Sequence, residues 1–260
     1  MPPAPTPREI APGVLVFAEA AGVARAAAER FVADSLAALS EREFFRVALS
    51  GGNTPKEMYR LLASPEFQVQ VDWGRIQVFW GDERCVPPDN PESNYGMART
   101  TLLDAVAIPS KNVFRMPADR SDLDAAADEY AGQVRNALPL DVYGVPRFDL
   151  VLLGLGPDGH TASLFPGTTA LGETHRLVCA PFVPKFGAYR MTLTYPVLNA
   201  AREILFLVTG SEKAEPLAAV ISRTGNPPLP AARVQPRDGA LVFLTDAAAA
   251  ARLAGNTQPT

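Results

Sequence analysis

"FDLVLLGLGPDGHTASLFPG", residues 148–167, decides how this chain is read. An unbroken apolar run ends in Gly154-x-Gly156-x-x-Gly159, and the next residue is His160. Such a run, bounded by glycines, reads as a strand buried on both faces, the kind found in parallel sheets. The glycine spacing matches a dinucleotide-binding turn. Three features oppose that reading. Pro166 and Gly167 close any following helix within about two turns. The acidic residue expected about twenty positions on should follow a second strand. Glu173 instead precedes the next strand-like run, "RLVCAP", 176–181. Finally, Asp158 adds a carboxylate where a pyrophosphate would sit.

What remains is Asp158 and His160 on a glycine turn at a strand end. His160 is expected to begin a helix, where the macrodipole disfavours imidazolium and keeps the ring in the neutral form that accepts a proton. Asp158 can orient that ring and stabilise it once protonated. A structural histidine fits the same spacing, so spacing alone leaves both readings open.

Outward from this turn, strand-like runs recur at 13–19, 45–50, 76–81, 176–181, 188–194, 203–209 and 240–245. Helical patterns occupy 20–39, 54–63, 93–106, 121–137, 211–222 and 246–254. The alternation predicts an α/β fold, a three-layer α/β/α sandwich with a mostly parallel, Rossmann-like central sheet. No repeat or long linker divides the chain, so residues 1–260 are expected to form one domain, with short flexible ends at about 1–12 and 255–260. In such a sheet, ligands bind beyond the carboxyl ends of the strands.

Three further turns belong to that edge. In "VALSGGNTPKEMYRLL", 47–62, Thr54, Pro55 and Glu57 can form a capping box. A helix needing only a cap does not need Gly51 and Gly52, and paired glycines before a helix start suit a phosphate. In "IQVFWGDERCV", 76–86, strand residues give way to Asp82, Glu83 and Arg84; a solvated turn and a functional one both fit. In "LFLVTGSEKAEPL", 205–217, Lys213 falls in the first turn of a helix, where a cation opposes the macrodipole and anion binding explains it better. Arg190 shares a strand face with Thr192 and Thr194, either as part of a charged edge strand or as a phosphate clamp.

Composition narrows the classes. A 47% hydrophobic chain with a formal charge of -4 folds around a core and lacks the basic footprint of a nucleic-acid binder. Two cysteines, Cys85 and Cys179, and two histidines, His160 and His175, support neither a disulfide framework nor a zinc site. "GTTALGET", 167–174, fails as a P-loop because Glu173 stands where lysine is required. No run approaches the ~20 apolar residues of a membrane span, and the start lacks the apolar segment of a signal peptide. A cytoplasmic protein without cofactor, metal, nucleic-acid or membrane partner is expected.

"SGGNTPKEMYRLL" (50–62), "VFWGDERCVPPDNPESNYGMA" (78–98), "GLGPDGHTASLFPG" (154–167) and "RMTLTYPVLNAAREILFLVTGSEKA" (190–214) together resemble the 6-phosphogluconolactonase family, in order and spacing, over residues 45–220. The resemblance implies hydrolysis of a small phosphorylated sugar lactone, 6-phospho-D-glucono-1,5-lactone, with no cofactor or metal; a monomer is expected. It puts the family's turn histidine and aspartate on His160 and Asp158. It puts the phosphate-binding positions on Gly51, Gly52, Thr54, Arg190 and Lys213, and the sugar side on Asp82 and Arg84. The oxyanion stabiliser is left open between backbone N–H groups and Arg84. Glucosamine-6-phosphate deaminases are similar in fold but carry a glutamate five residues after the turn histidine; here that residue is Phe165. A sugar-phosphate-binding regulator without activity is the rival from another class, and the joint presence of Asp158 and His160 favours an enzyme.

Overall fold

A computed structural model describes residues 6–253. Eleven strands are present among them. Strands β1 (Arg8–Ala11), β2 (Val14–Phe17), β3 (Phe45–Leu49), β4 (Ile76–Trp80) and β5 (Asp82–Arg84) come first. They are followed by β6 (Leu150–Leu153), β7 (Val178–Cys179), β8 (Phe182–Val183), β9 (Ala188–Leu193), β10 (Glu203–Val208) and β11 (Ala240–Asp246). Seven form the central sheet in the order β1-β2-β11-β10-β6-β3-β4. All its pairings are parallel except β1 with β2. A smaller antiparallel sheet joins β5, β9 and β7, with β8 on β9.

The helices are α1 (Ala20–Glu41), α2 (Asn53–Leu62), α3 (Pro65–Gln68), α4 (Asn94–Ala98), α5 (Leu123–Ala137), α6 (Tyr195–Leu198) and α7 (Ala214–Ser222). The pleat sends alternate side chains of each strand to opposite layers. Phe45 meets Phe31 of α1 edge-on at 5.3 Å on one face. Phe79, which in register stands beside Ala48 and so points the other way, meets Tyr130 of α5 at 6.5 Å. Both faces are covered, which is why Leu150, Val151 and Leu152 of β6 are all fully buried. The result is the three-layer sandwich with a mostly parallel centre.

Four local expectations are corrected. The amino-terminal stretch expected to be frayed contains β1, zipped antiparallel onto β2; residues 1–5, and the predicted flexible tail 255–260, lie outside the described residues. The segment 247–253 makes turns rather than a helix, the first closed by the Asp246 carboxylate accepting from the Ala249 N–H; residue 254 of that expected helix is not among those described. Gly52, not Thr54, is the N-cap of α2, and Thr54 Oγ1 instead lies 2.7 Å from Thr209 Oγ1. Its capping-box partner Glu57 pairs with Arg60. Finally, no helix begins at His160; residues 157–164 form two turns, the second closed by a Thr161–Leu164 bridge. Among the described residues no helix is long and apolar enough to cross a membrane.

Candidate active site

Strands β10, β6, β3 and β4 are neighbours in the sheet, so the turns after their carboxyl ends converge. They open into a cleft of about 600 Å³ lined by Gly51, Gly52, Thr54, Asp82, Arg84, His160, Arg190 and Lys213, with other residues of the same turns. That volume suits a small polar molecule. Of the candidate residues, only Asp158 is not on this wall; it sits behind the His160 ring, facing a neighbouring hollow that it shares with Glu212 and Glu215.

The β6 turn brings Asp158 and His160 together. Gly159 N–H donates to Gly156 O and Gly156 N–H to His160 O, folding the turn back on itself. The fold places the His160 ring directly over Gly156, where any Cβ would collide with Nδ1. Asp158 Oδ1 lies 2.5 Å from Nδ1, and Lys185 Nζ lies 2.8 Å from Oδ2. Phe165, nearly buried, stacks on the imidazole with centroids 3.9 Å apart.

The electrostatics follow from these contacts. Burial by itself raises the Asp158 value, but hydrogen bonds from Lys185 and His160 outweigh it and hold the carboxyl down at about 2. An ionised carboxylate only accepts, so the hydrogen between the two groups belongs to Nδ1. Nε2 is then the basic nitrogen, and no protein group among the described residues hydrogen-bonds to it. Burial lowers the His160 value below its ordinary 6.5, and the opposing pull of Asp158 and Asp82 does not restore it. The ring is therefore neutral at pH 7. Desolvation supplies what the macrodipole was expected to supply.

The cationic wall lies on the same cleft. Arg190 projects from β9 with its Nε buried and without a hydrogen-bond partner among the described residues, its guanidinium 5.2 Å from the Phe186 ring centroid. Burial first and then the nearby Arg84 depress its value, and the opposing pull of Asp82 and Glu92 does not restore it. Lys213, mostly buried, ends the single turn before α7, with Glu212 3.8 Å away. Gly52, at φ +106°, occupies a backbone region closed to other residues and turns the chain from β3 into α2. The missing Gly51 side chain makes room for Asn94, so this glycine answers to packing inside the protein as well as to any ligand.

Some of the organisation escapes a reading of local sequence. Asp82, Glu83 and Arg84 look alike as a charged cluster, but strand alternation splits them. Glu83 is buried and accepts from the backbone N–H groups of Arg84, Asn94 and Tyr95 and from the Ser93 hydroxyl. Asp82 faces the cleft, where its Oδ2 accepts from the Ser163 hydroxyl at 2.6 Å and its main-chain O from Asn94 Nδ2 at 2.9 Å. Arg84 donates to the Glu92 carbonyl. Local spacing assigns no role to Asn94, Ser163 or Lys185; only the assembled fold gives them partners.

The chain is similar to known proteins in sequence and in fold. Residues 18–243 match the family model for glucosamine-6-phosphate isomerases/6-phosphogluconolactonase. The chain is 43% identical to a 6-phosphogluconolactonase of Synechocystis sp. over 80% of its own length and 85% of the relative's. It is 37% identical to one from Streptomyces coelicolor over 95% and 97%. The solved 6-phosphogluconolactonase of Trypanosoma brucei superposes with a TM-score of 0.85 at 33% identity, covering 94% of this chain and all of that one.

Proposed function

The chain belongs to the glucosamine-6-phosphate isomerase/6-phosphogluconolactonase family, and we propose that its cleft works by general-base hydrolysis with His160 as the base. The reaction is the conversion of 6-phospho-D-glucono-1,5-lactone to 6-phospho-D-gluconate, the second step of the oxidative pentose phosphate pathway. The observation that carries the proposed mechanism is the oriented Asp158–His160 pair sharing one cleft with Arg190, Lys213 and the Gly51–Gly52 turn.

In this reading His160 Nε2 takes a proton from a water poised over the C1 carbonyl. Asp158 fixes the ring through Nδ1 and favours the imidazolium that forms. The tetrahedral intermediate carries an oxyanion, for which backbone N–H groups of the turns and Arg84 are the available stabilisers. Collapse expels the ring oxygen, which recovers the proton from His160. Arg190, Lys213 and the turn before α2 hold the phosphate remote from C1, so their binding energy keeps the lactone in register. Phe165 occupies the place of a ring-opening acid with a group that transfers no protons, which favours lactone hydrolysis over deamination.

The test is the loss of phospholactone above its spontaneous rate, run beside glucosamine 6-phosphate as an alternative substrate. Accelerated lactone loss without ammonia release is expected. Ammonia release, or no acceleration of lactone loss, contradicts the reading.

A further inference from the structure

The Asp158 carboxylate has two oxygens and two partners. Oδ1 takes the ring nitrogen Nδ1 and, at 3.3 Å, the His160 main-chain N–H, while Oδ2 takes Lys185 Nζ at 2.8 Å. The last torsion of an aspartate is broad, and both His160 contacts fall on one oxygen, so they leave the carboxylate plane free to turn about it. A second anchor on the opposite oxygen fixes it. Lys185 reaches Asp158 from the tip of the antiparallel β8–β9 hairpin, in the single turn Pro184–Phe186. The next residue, Phe186, meets Phe165 edge-on at 5.5 Å and lies under the Arg190 guanidinium. One hairpin tip thus touches the aspartate, the ring that backs the histidine and the arginine of the cationic wall.

We infer that Lys185 is a positioning residue for the hydrolysis, acting on the His160 ring through Asp158. The inference rests on the reading of Asp158 and His160 as the acid-base pair. Two observations separate this role from a structural one and from a substrate contact. The Lys185 side chain is 49% exposed, and an exposed ion pair contributes little to stability. Phe186 and His160 line the cleft, whereas Lys185 does not.

The experiment measures kcat and KM on the phospholactone for Lys185→Met, Lys185→Arg, Asp158→Asn and the Lys185→Met/Asp158→Asn double variant, with Tm as the check on folding and His160→Ala as the control. Lys185→Met is expected to lose about tenfold or more in kcat, as misplaced catalytic groups do. Its KM and Tm should stay near those of the parent. Lys185→Arg should recover most of the rate, and Lys185→Met should add nothing once Asp158 is already asparagine. An unchanged kcat in Lys185→Met, a rise in KM alone, or a further loss in the double variant overturns the role of Lys185 while leaving the acid-base pair standing. Near-normal kcat in His160→Ala overturns both.

Discussion

Asp158 Oδ1 lies 2.5 Å from His160 Nδ1, which leaves the opposite ring nitrogen as the basic one in a ring kept neutral by burial. The pairing fixes tautomer and direction together. Replacing Asp158 by asparagine keeps the shape but offers an amide that can favour the wrong tautomer. Asp158→Asn is expected to lower kcat by as much as about 10⁴-fold, the loss seen when a triad aspartate is so changed, with KM little affected. Steady-state kinetics corrected for spontaneous lactone loss will read the split.

The pH profile has a definite sign. Burial first, with a contribution from Lys185, holds His160 below its ordinary 6.5, against the pull of Asp158 and Asp82. A base works when deprotonated, so kcat/KM should be level through neutrality and fall as pH drops through a value under 6.5. Asp158→Asn removes a group that raises the His160 value, and the limb of its residual activity should move lower still. A limb above 6.5 in the parent contradicts the assignment.

Phosphate recognition should separate from chemistry. Arg190→Met and Lys213→Met are expected to raise KM for the phospholactone strongly while part of kcat remains. The same variants should leave the slow turnover of unphosphorylated glucono-1,5-lactone nearly unchanged. Equal losses on both lactones would show that these cations act at C1.

Gly156 is the steric seat of the imidazole, since a Cβ there would run into Nδ1. Gly156→Ala should push the ring out of line and cost about 10²-fold in kcat, as a displacement of about 1 Å does. Circular dichroism and Tm should show the fold retained. A variant of normal activity would mean that the ring position is unimportant.

The framework was legible because it is written locally. An apolar β6 bounded by Gly154, and glycine or charge at the ends of β3, β4 and β10, suffice to place the turns of four neighbouring strands on one edge. What misled were local signals overruled by tertiary partners. Thr54 has the spacing of a capping box, yet its hydroxyl is taken by Thr209 from another turn. His160 follows a glycine turn as a helix start would, yet Gly159 and Gly156 fold the chain back before a helix can form. Asp246 ties down the chain after β11 into turns that the alanine-rich composition of 247–253 does not announce. Lys185 and Ser163 were invisible for the opposite reason. Their partners, Asp158 across 27 positions and Asp82 across 81, are brought near only by the second sheet and the β6 turn.

The most direct test of the account is kcat of His160→Ala on 6-phospho-D-glucono-1,5-lactone, measured above the spontaneous rate on protein of parental Tm. Loss of the base should reduce kcat by about 10² to 10⁴-fold with KM nearly constant. A kcat close to that of the parent would mean that some other group activates water, and that the pairing of Asp158 with His160 serves the fold alone.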